Sequence, residues 1–391
     1  MLTKQDLINF EAGLAERFDE GHYPYLVHFS GGNEDQLIEI FKEIAPGDWI
    51  FSTHRSHYHY LLAGGDPDRL ERLIARGKSM FVFDRGLNFY TSSILAATPA
   101  IAAGVAWALK RNDSDKRVWC FMGDGAEDEG HFYEAVRYVD GHNLPCIFVV
   151  EDNNRSVSAC KTTRWGCTNG GVTAKCVRRY HYTPTWPHGG TGSGKWLQFK
   201  SDPVLEWMPP KCFLDYSPVE TTKKYHAAVT EAMEWLASRG TIFVGYNVRH
   251  GSAYGTLLNI PEEQRLETPV AENLMAGLAM GMSLEGFRPV LFFERHDFIY
   301  NALDALVNQM DKIPVISDGQ FNFPVIIRAV VGGVKPFYAG ITHTSDLTAH
   351  LDGLLHFPVC LPRSAGEVLG AYQAAYGQEG PVLISELKDL H

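Results

Sequence analysis

An aspartate and an asparagine stand at the ends of two successive apolar runs. The first run, Arg117-Val118-Trp119-Cys120-Phe121-Met122, stops on Gly123-Asp124-Gly125-Ala126. The second, Leu144-Pro145-Cys146-Ile147-Phe148-Val149-Val150, stops on Glu151-Asp152-Asn153-Asn154. The residues between them are enough for one crossover helix. Read as strand, helix, strand, this unit puts both polar ends on one edge of a parallel sheet, where α/β proteins bind ligands. Asp124 offers a carboxylate, Asn153 an uncharged amide oxygen and Arg155 a backbone carbonyl. Such a hard-oxygen set suits Mg²⁺ held against a diphosphate, because Mg²⁺ takes few protein ligands and fills its shell with water and phosphate. Gly123 and Gly125 let backbone come close to the phosphates. A bare Gly-Asp-Gly is a common turn; the flanking strands and the terminal Asn make this one a metal site candidate.

The surrounding pattern must hold these ends in place. Residues 1–45 read as helices with a polar face, an N-terminal helical arm. Ala97 to Leu109 is a small-residue helix suited to close packing on a sheet. Strand 117–122, helix 130–140 and strand 145–151 follow, a parallel α/β pattern. Residues 156–215 are rich in Gly, Pro, Thr and Trp and lack periodicity, so they read as a structured active-site loop plus an inter-domain linker. From Tyr216 to Arg239 the helical period returns. Strands are then expected at 241–246, 288–293, 324–331, 358–361 and 381–386. Helices are expected at 271–285, 298–310, 345–355 and 364–377. The fold class is therefore α/β with two parallel-sheet domains, 46–215 and 216–391, behind the arm.

Bulk properties narrow the function classes. The length of 391 residues suits two domains. A net charge of −11 argues against nucleic acid as a general partner. No run of ~18 apolar residues is present, so no membrane span is expected. Met1-Leu2-Thr3-Lys4-Gln5-Asp6 carries no apolar signal region. The 7 cysteines lack a CxxC pair, which disfavours a zinc site at Cys160, Cys167 and Cys176 and fits reduced thiols in a cytoplasmic protein. Gly189-Gly190-Thr191-Gly192-Ser193-Gly194-Lys195-Trp196 imitates a phosphate-binding P-loop. Trp196, however, takes the Ser/Thr position, and Thr183-Pro184-Thr185-Trp186-Pro187-His188 is no central strand. A mobile Gly-rich loop is the expectation there.

The stretch from Gly123 to Asn153 is similar to the thiamine-diphosphate motif. Residues about 50–165 resemble the α subunit of 2-oxo acid dehydrogenase E1 components, through Thr53-His54-Arg55-Ser56-His57, Gly77-Lys78-Ser79-Met80 and Asn88-Phe89. Residues about 240–390 resemble the E1 β subunit. There the matching residues are Glu267-Thr268-Pro269-Val270-Ala271-Glu272-Asn273, Ala276-Gly277-Leu278-Ala279-Met280-Gly281 and Gly286-Phe287-Arg288-Pro289. The match continues through Asp297-Phe298, Ala302-Leu303-Asp304, Val307-Asn308 and Thr342-His343-Thr344-Ser345. The family usually splits these halves between two chains or carries them in longer ones. The resemblance implies two thiamine-diphosphate-binding domains, diphosphate-binding first and pyrimidine-binding second, with thiamine diphosphate and Mg²⁺ as cofactors.

It also implies residue roles. Gly123, Asp124, Gly125 and Ala126 fall at the diphosphate, and Asp124, Asn153 and Arg155 at the metal. Glu272 matches the carboxylate that contacts N1′ of the aminopyrimidine and favours its imino tautomer. Alone, Glu272 reads equally as an acid favoured by a helix dipole. Phe298 falls where an aromatic ring meets the aminopyrimidine, and Leu95 near the apolar wedge that bends the cofactor. Arg55 and His54 match a Tyr-Arg pair on the diphosphate, with His54 departing from the Tyr. His343 matches a β-subunit His facing the substrate. His181, in Arg179-Tyr180-His181-Tyr182, partly matches an α-subunit loop His. Arg295-His296 adds polarity beside Phe298 and points to a polar donor, with His296 a further catalytic candidate.

The implied reaction is cleavage of a C–C bond next to a carbonyl, as in 2-oxo acid decarboxylation by E1. The two-carbon acyl or ketol unit then passes to an acceptor such as a lipoyl group. The alternatives are transketolase-like ketol transfer from a ketose phosphate and a non-catalytic scaffold subunit. The sequence ends after Gly380-Pro381-Val382-Leu383-Ile384-Ser385-Glu386-Leu387, where the family continues into a third domain. Implied partners are thus a 2-oxo acid or ketose phosphate, a lipoyl-bearing carrier or a separate chain with that domain, and a second copy in a homodimer or higher assembly.

Overall fold

The computed structural model describes residues 2–167, 171–195, 198–334 and 338–390. Trp196, the residue that breaks the P-loop pattern, lies outside them. The chain divides into two compact units, residues 1–207 and 208–391.

In the first unit, helix α1 (Lys4–Asp19) begins with a capping box, in which Asp6 N–H donates to Thr3 Oγ1 at 3.3 Å and Thr3 N–H to Asp6 Oδ2 at 2.8 Å. Next come α2 (Glu34–Phe41), β1 (Trp49–Ser52), α3 (His57–Leu62), α4 (Pro67–Ala75), β2 (Phe89–Thr91) and α5 (Thr98–Arg111). The motif itself lies on β3 (Val118–Gly123), α6 (Gly130–His142) and β4 (Cys146–Asp152). A small hairpin, β5 (Arg155–Ser156) and β6 (Ala159–Cys160), leads into the short helix α7 (Lys161–Trp165) and then β7 (Val177–His181). The sheet order is β2-β1-β3-β4-β7, all parallel. Apolar residues of β3 and β4 are buried on both faces, as parallel strands with covered faces require. Leu7, Leu14 and Phe18 of α1 belong to the same core as Tyr58, Trp119 and Phe121.

The segment 156–215, expected as a structured active-site loop and linker, holds regular elements as well. It contributes α7 and a fifth sheet strand, β7, beside β4. Its Gly-rich part is also tied down: Thr191 Oγ1 and Ser193 Oγ donate to Asp19 Oδ1, the latter at 2.7 Å. Gly190 N–H donates to the carbonyl of Val27 at 2.9 Å.

The second unit runs α8 (Tyr225–Ala237), β8 (Phe243–Gly245), β9 (Arg265–Glu267), α9 (Glu272–Leu284), β10 (Val290–Phe293), α10 (Ile313–Ile316), β11 (Ile326–Val331), α11 (Thr348–Leu354), β12 (Val359–Cys360), α12 (Ala365–Tyr376) and β13 (Val382–Leu387). Its six-stranded parallel sheet has the order β12-β13-β11-β10-β8-β9. α9 is buried along its whole length, so its Gly and Ala residues serve close packing rather than amphipathicity. The helix expected at 298–310 is instead a 3₁₀ segment, His296–Ala302, followed by a wide π-helical turn, Asp304–Asp311. Such irregular turns often mark functional sites.

Candidate active site

The strand ends of the first unit open on a cavity of 390 Å³. Its wall includes His54, Arg55, Leu95, Gly123, Gly125, Ala126, Asn153 and Arg155, so eight of the expected residues meet there. Asp124 sits between two of these glycines, is only 1% exposed, and lines a second cavity of 240 Å³. Its Oδ2 accepts from Arg164 Nη2 at 3.2 Å and lies 3.8 Å from Lys161 Nζ. Its Oδ1 is buried with no hydrogen-bond partner. A carboxylate oxygen left bare in a buried site costs free energy unless something electropositive joins it. Asn153 Oδ1 accepts from Arg155 N–H at 2.9 Å, a turn that fixes the amide at the strand end. A Cβ on Gly125 would lie 2.7 Å from Ser156 Oγ and 2.9 Å from its Cβ, so only glycine fits against the hairpin.

Charge around Asp124 is balanced locally. Burial and the Asp152 carboxylate hold the Asp124 carboxyl above its ordinary pKa, while Arg164 and Lys161 oppose that. For Asp152, burial pushes upward, but its bond to Lys161, the Asn154 N–H and His181 outweigh it and hold the pKa low. Arg164 also pairs with Asp128 at 2.8 Å, Lys161 with Asp152, and Arg179 with both Glu127 and Asp152.

His181 does not reach the cavity. It stands at the end of β7 with its side chain 76% exposed, and Nδ1 lies 3.4 Å from Asp152 Oδ2. Its place in the cavity wall is taken by His28 and His188, with His59 beside them. His188 ends the Pro-containing stretch before the Gly-rich loop, and His28 has no motif to signal it. Burial, followed by the neighbouring charges of His188, Arg55 and His57, pushes His28 down to about 3. Burial also lowers His54 and His188, again with Arg55 contributing.

In the second unit, Glu272 is the first residue of α9 and is buried. Asn301 Nδ2 donates to its Oε2 at 3.4 Å. Phe298 meets the His343 ring edge-on, with centroids 5.4 Å apart. The His343 turn is anchored through Ser345, whose backbone N–H donates to Asp297 Oδ2 at 3.2 Å and whose Oγ donates to Asp297 Oδ1. Gly332 packs under this turn: a Cβ there would sit 2.2 Å from Thr344 Cα and 2.5 Å from His343 O. His296, expected as a further catalytic candidate, lies behind the His343 turn. It is fully buried, and Nδ1 accepts from Leu347 N–H at 3.0 Å, so it braces the segment behind His343 instead of facing solvent. Burial pushes it down to about 4 against the pull of Asp346 and Asp297.

Residues 4–169 match the family described as Dehydrogenase E1 component. Residues 221–391 match the pyrimidine-binding domain of transketolase. The chain joins an E1-type unit to a transketolase-type pyrimidine-binding unit. Both families use thiamine diphosphate. The chain is 32% identical over 163 residues to the α subunit of an acetoin:2,6-dichlorophenolindophenol oxidoreductase from Cupriavidus necator, covering 39% of this chain and 49% of that protein. Identity to the pyruvate dehydrogenase E1 α subunit of Rickettsia typhi is 31%, over the same shares of each chain. Identity to the pyruvate dehydrogenase E1 β subunit of Bacillus subtilis is 33% over 135 residues, or 33% of this chain and 39% of that one. The chain thus spans about half the length, or less, of the curated relatives it matches. Among the described residues, no helix of this E1-like chain is long and apolar enough to cross a membrane.

Proposed function

We propose that this chain is a thiamine-diphosphate- and Mg²⁺-dependent enzyme that cleaves a C–C bond next to a carbonyl and passes the two-carbon unit to an acceptor. The observation that carries the reading is the bare, buried Oδ1 of Asp124 at the end of β3, with Asn153 and Arg155 at the end of β4. Asp124, the Asn153 amide and the Arg155 carbonyl would hold Mg²⁺, an all-oxygen set of the kind that ion takes. Gly123, Gly125, Ala126 and Arg55 would hold the diphosphate, and Leu95 the bend of the cofactor. When bound, thiamine diphosphate supplies a nucleophilic carbon for the donor's carbonyl.

The residues of the second unit handle protons and orientation. Glu272, buried at the start of α9 beside Asn301, would hold a proton against N1′ of the aminopyrimidine. Phe298 would pack on that ring. His343, held edge-on to Phe298, would orient the donor or carry a proton to it. Acetoin and pyruvate, named in the relatives, are the first donors to test; the clustered histidines of the cavity favour a polar donor over a branched apolar one. A lipoyl group is the proposed acceptor. We place the protein in the cytoplasm, in a homodimer or a larger assembly.

The test is mass spectrometry of acid-quenched cofactor after incubation with Mg²⁺ and acetoin, a panel of 2-oxo acids, or a panel of ketose phosphates. Adducts from acetoin or 2-oxo acids are expected. Adducts only from ketose phosphates would move the chain to ketol transfer. Glu272→Ala should abolish adducts while still binding cofactor. Equal inactivity of the wild type on every donor, with cofactor bound, would favour a scaffold subunit.

A further inference from the structure

Three histidines from distant parts of the first unit meet at the wall of the 390 Å³ cavity. His28 lies between α1 and α2, His54 follows β1, and His188 lies beyond β7. Each presents a ring nitrogen, and the three nitrogens all lie within 4.8 Å of one another. His28 is 4% exposed. Nδ1 of His28 and Nε2 of His54 are both buried with no hydrogen-bond partner.

Two neighbouring histidines show what a satisfied imidazole looks like in this fold. His57 spends Nδ1 on Glu11 at 3.0 Å and Nε2 on Ser79 at 3.0 Å. His59 spends Nδ1 on Ser52 at 2.7 Å and Nε2 on Glu151 at 3.2 Å. Buried polar atoms are nearly always paired in this way, so bare nitrogens on adjacent rings need a reason.

The ring geometry supplies one. The centroids are 4.7 Å apart for His28–His54, 4.9 Å for His28–His188 and 5.7 Å for His54–His188. Three imidazoles bound tetrahedrally to one ion at ~2.0 Å would place their centroids ~5.2 Å apart. The planes cross at 72°, 77° and 59°, so the rings are not stacked, and one nitrogen of each lies within 4.8 Å of the others. Arg55 Nη2 donates to the carbonyl of His188 at 3.1 Å and fixes the third ligand's backbone.

We propose that His28, His54 and His188 bind a divalent transition-metal ion of the zinc class, with one coordination position left open to the cavity. Three protein ligands and a free position are the pattern of reactive zinc sites, whereas structural sites are closed by four. The donor sets separate two ions: imidazole nitrogens suit zinc-class metals, and the oxygens around Asp124 suit Mg²⁺. The positive charge of Arg55 nearby favours an anion over water as the fourth ligand.

The test uses chelator-treated full-length protein without Mg²⁺ or thiamine diphosphate, titrated with Co²⁺ by visible absorption and with Zn²⁺ by calorimetry. One ion per chain is expected, with the intense visible bands of low-coordinate Co²⁺. His28→Ala, His54→Ala and His188→Ala should each lose those bands, with circular dichroism confirming their folds. His188→Ala, at a half-buried position outside the strands and helices, is the decisive variant if His28→Ala unfolds. Asp124→Asn should keep them. Absence of binding by the wild type, or binding unchanged in His188→Ala, overturns the site. Because no cofactor is present, this outcome is independent of the proposed cofactor chemistry.

Discussion

The Asp124→Asn substitution separates the metal from the fold. Asn keeps the size of Asp and removes the one charged donor of the proposed Mg²⁺ site. The cations now around Asp124 each have a second carboxylate: Arg164 keeps Asp128 at 2.8 Å, and Lys161 keeps Asp152. The cofactor-free variant should therefore unfold within ~1 kcal/mol of the wild type, the range for changes that strand no buried charge. Cofactor binding should behave differently. Losing even a supporting residue of a metal site costs ~10–100-fold in affinity, so losing the charged ligand itself should cost at least ~100-fold. At a ligand concentration ~100 times the wild-type Kd, binding stabilises the fold by ~2.7 kcal/mol, and a ~100-fold weaker Kd leaves ~0.4 kcal/mol. At ~2–4 °C per kcal/mol for a unit of this size, the cofactor-induced Tm rise should shrink from ~5–11 °C to ~1–2 °C. Differential scanning fluorimetry with and without Mg²⁺ and thiamine diphosphate reads both numbers. A variant that keeps the full rise would refute the placement of the metal at Asp124.

Three further outcomes follow from the second unit. In Gly332→Ala the new methyl meets the backbone of Thr344, so the His343 turn must move; kcat should fall more than KM rises, and unchanged steady-state kinetics would count against His343. Arg328 is fully buried, with Nε and Nη2 donating to Glu386 Oε2 at 3.0 and 2.9 Å and Nη1 to Thr256 Oγ1 at 2.9 Å. Arg328→Met should cost ~3–5 kcal/mol in urea unfolding by removing the guanidinium from the buried Glu386 carboxylate, which keeps the hydrogen bond from the Tyr372 hydroxyl, and adding Glu386→Gln should recover part of it; no recovery would mean that shape rather than charge sets the cost. His296 titrates near 6.5 when unfolded and is held at about 4 by burial in the fold. As pH falls from 6.5 towards 4, the unfolded chain binds a proton that the fold refuses. Stability should therefore drop by up to ~1.4 kcal/mol per pH unit in that window. His296→Asn, whose amide oxygen can still accept from Leu347 N–H, should lessen the loss between pH 7 and pH 5 by the His296 share, while the buried His28, His54 and His188 of the first unit keep theirs; an equal loss in wild type and variant, read from urea unfolding at the two pH values, would contradict the assignment.

The strands that carry the site were legible because parallel strands covered on both faces read as unbroken apolar runs. β3 and the body of β4 have that form, β11 has it apart from Arg328 and β13 apart from Ser385-Glu386, and each was found within two residues of its observed ends. β1 and β2 are four and three residues long, too short to show a period. β7 was hidden for another reason. It is an edge strand that carries Arg178 and Arg179, whose charges are met by Glu43, Glu127 and Asp152. Charge on an edge protects it from further pairing and makes it look like a loop in sequence. The helix expected at 298–310 followed a helical period, but that period does not distinguish an α-helix from 3₁₀ and π turns, which differ by less than one residue per turn.

The histidines show where local reading stops. His54, His57 and His59 lie within six residues and share the same sequence surroundings, yet the fold treats them differently. What separates them is the partner each finds across the chain: Glu11 for His57, Glu151 for His59, and, among the described residues, ring contacts with His28 and His188 for His54. The carboxylates come from α1 and from the end of β4, a helix and a strand that periodicity identifies without saying which side chains of the two face α3. A motif names the residue types able to perform chemistry, whereas pairing decides which of them remain free to do it. Asp124 was found by its motif, and its unpaired oxygen makes it useful. His28 has an unpaired nitrogen without any motif, and so its role follows from the packing of α1 and the segment beyond β7 against the strand ends.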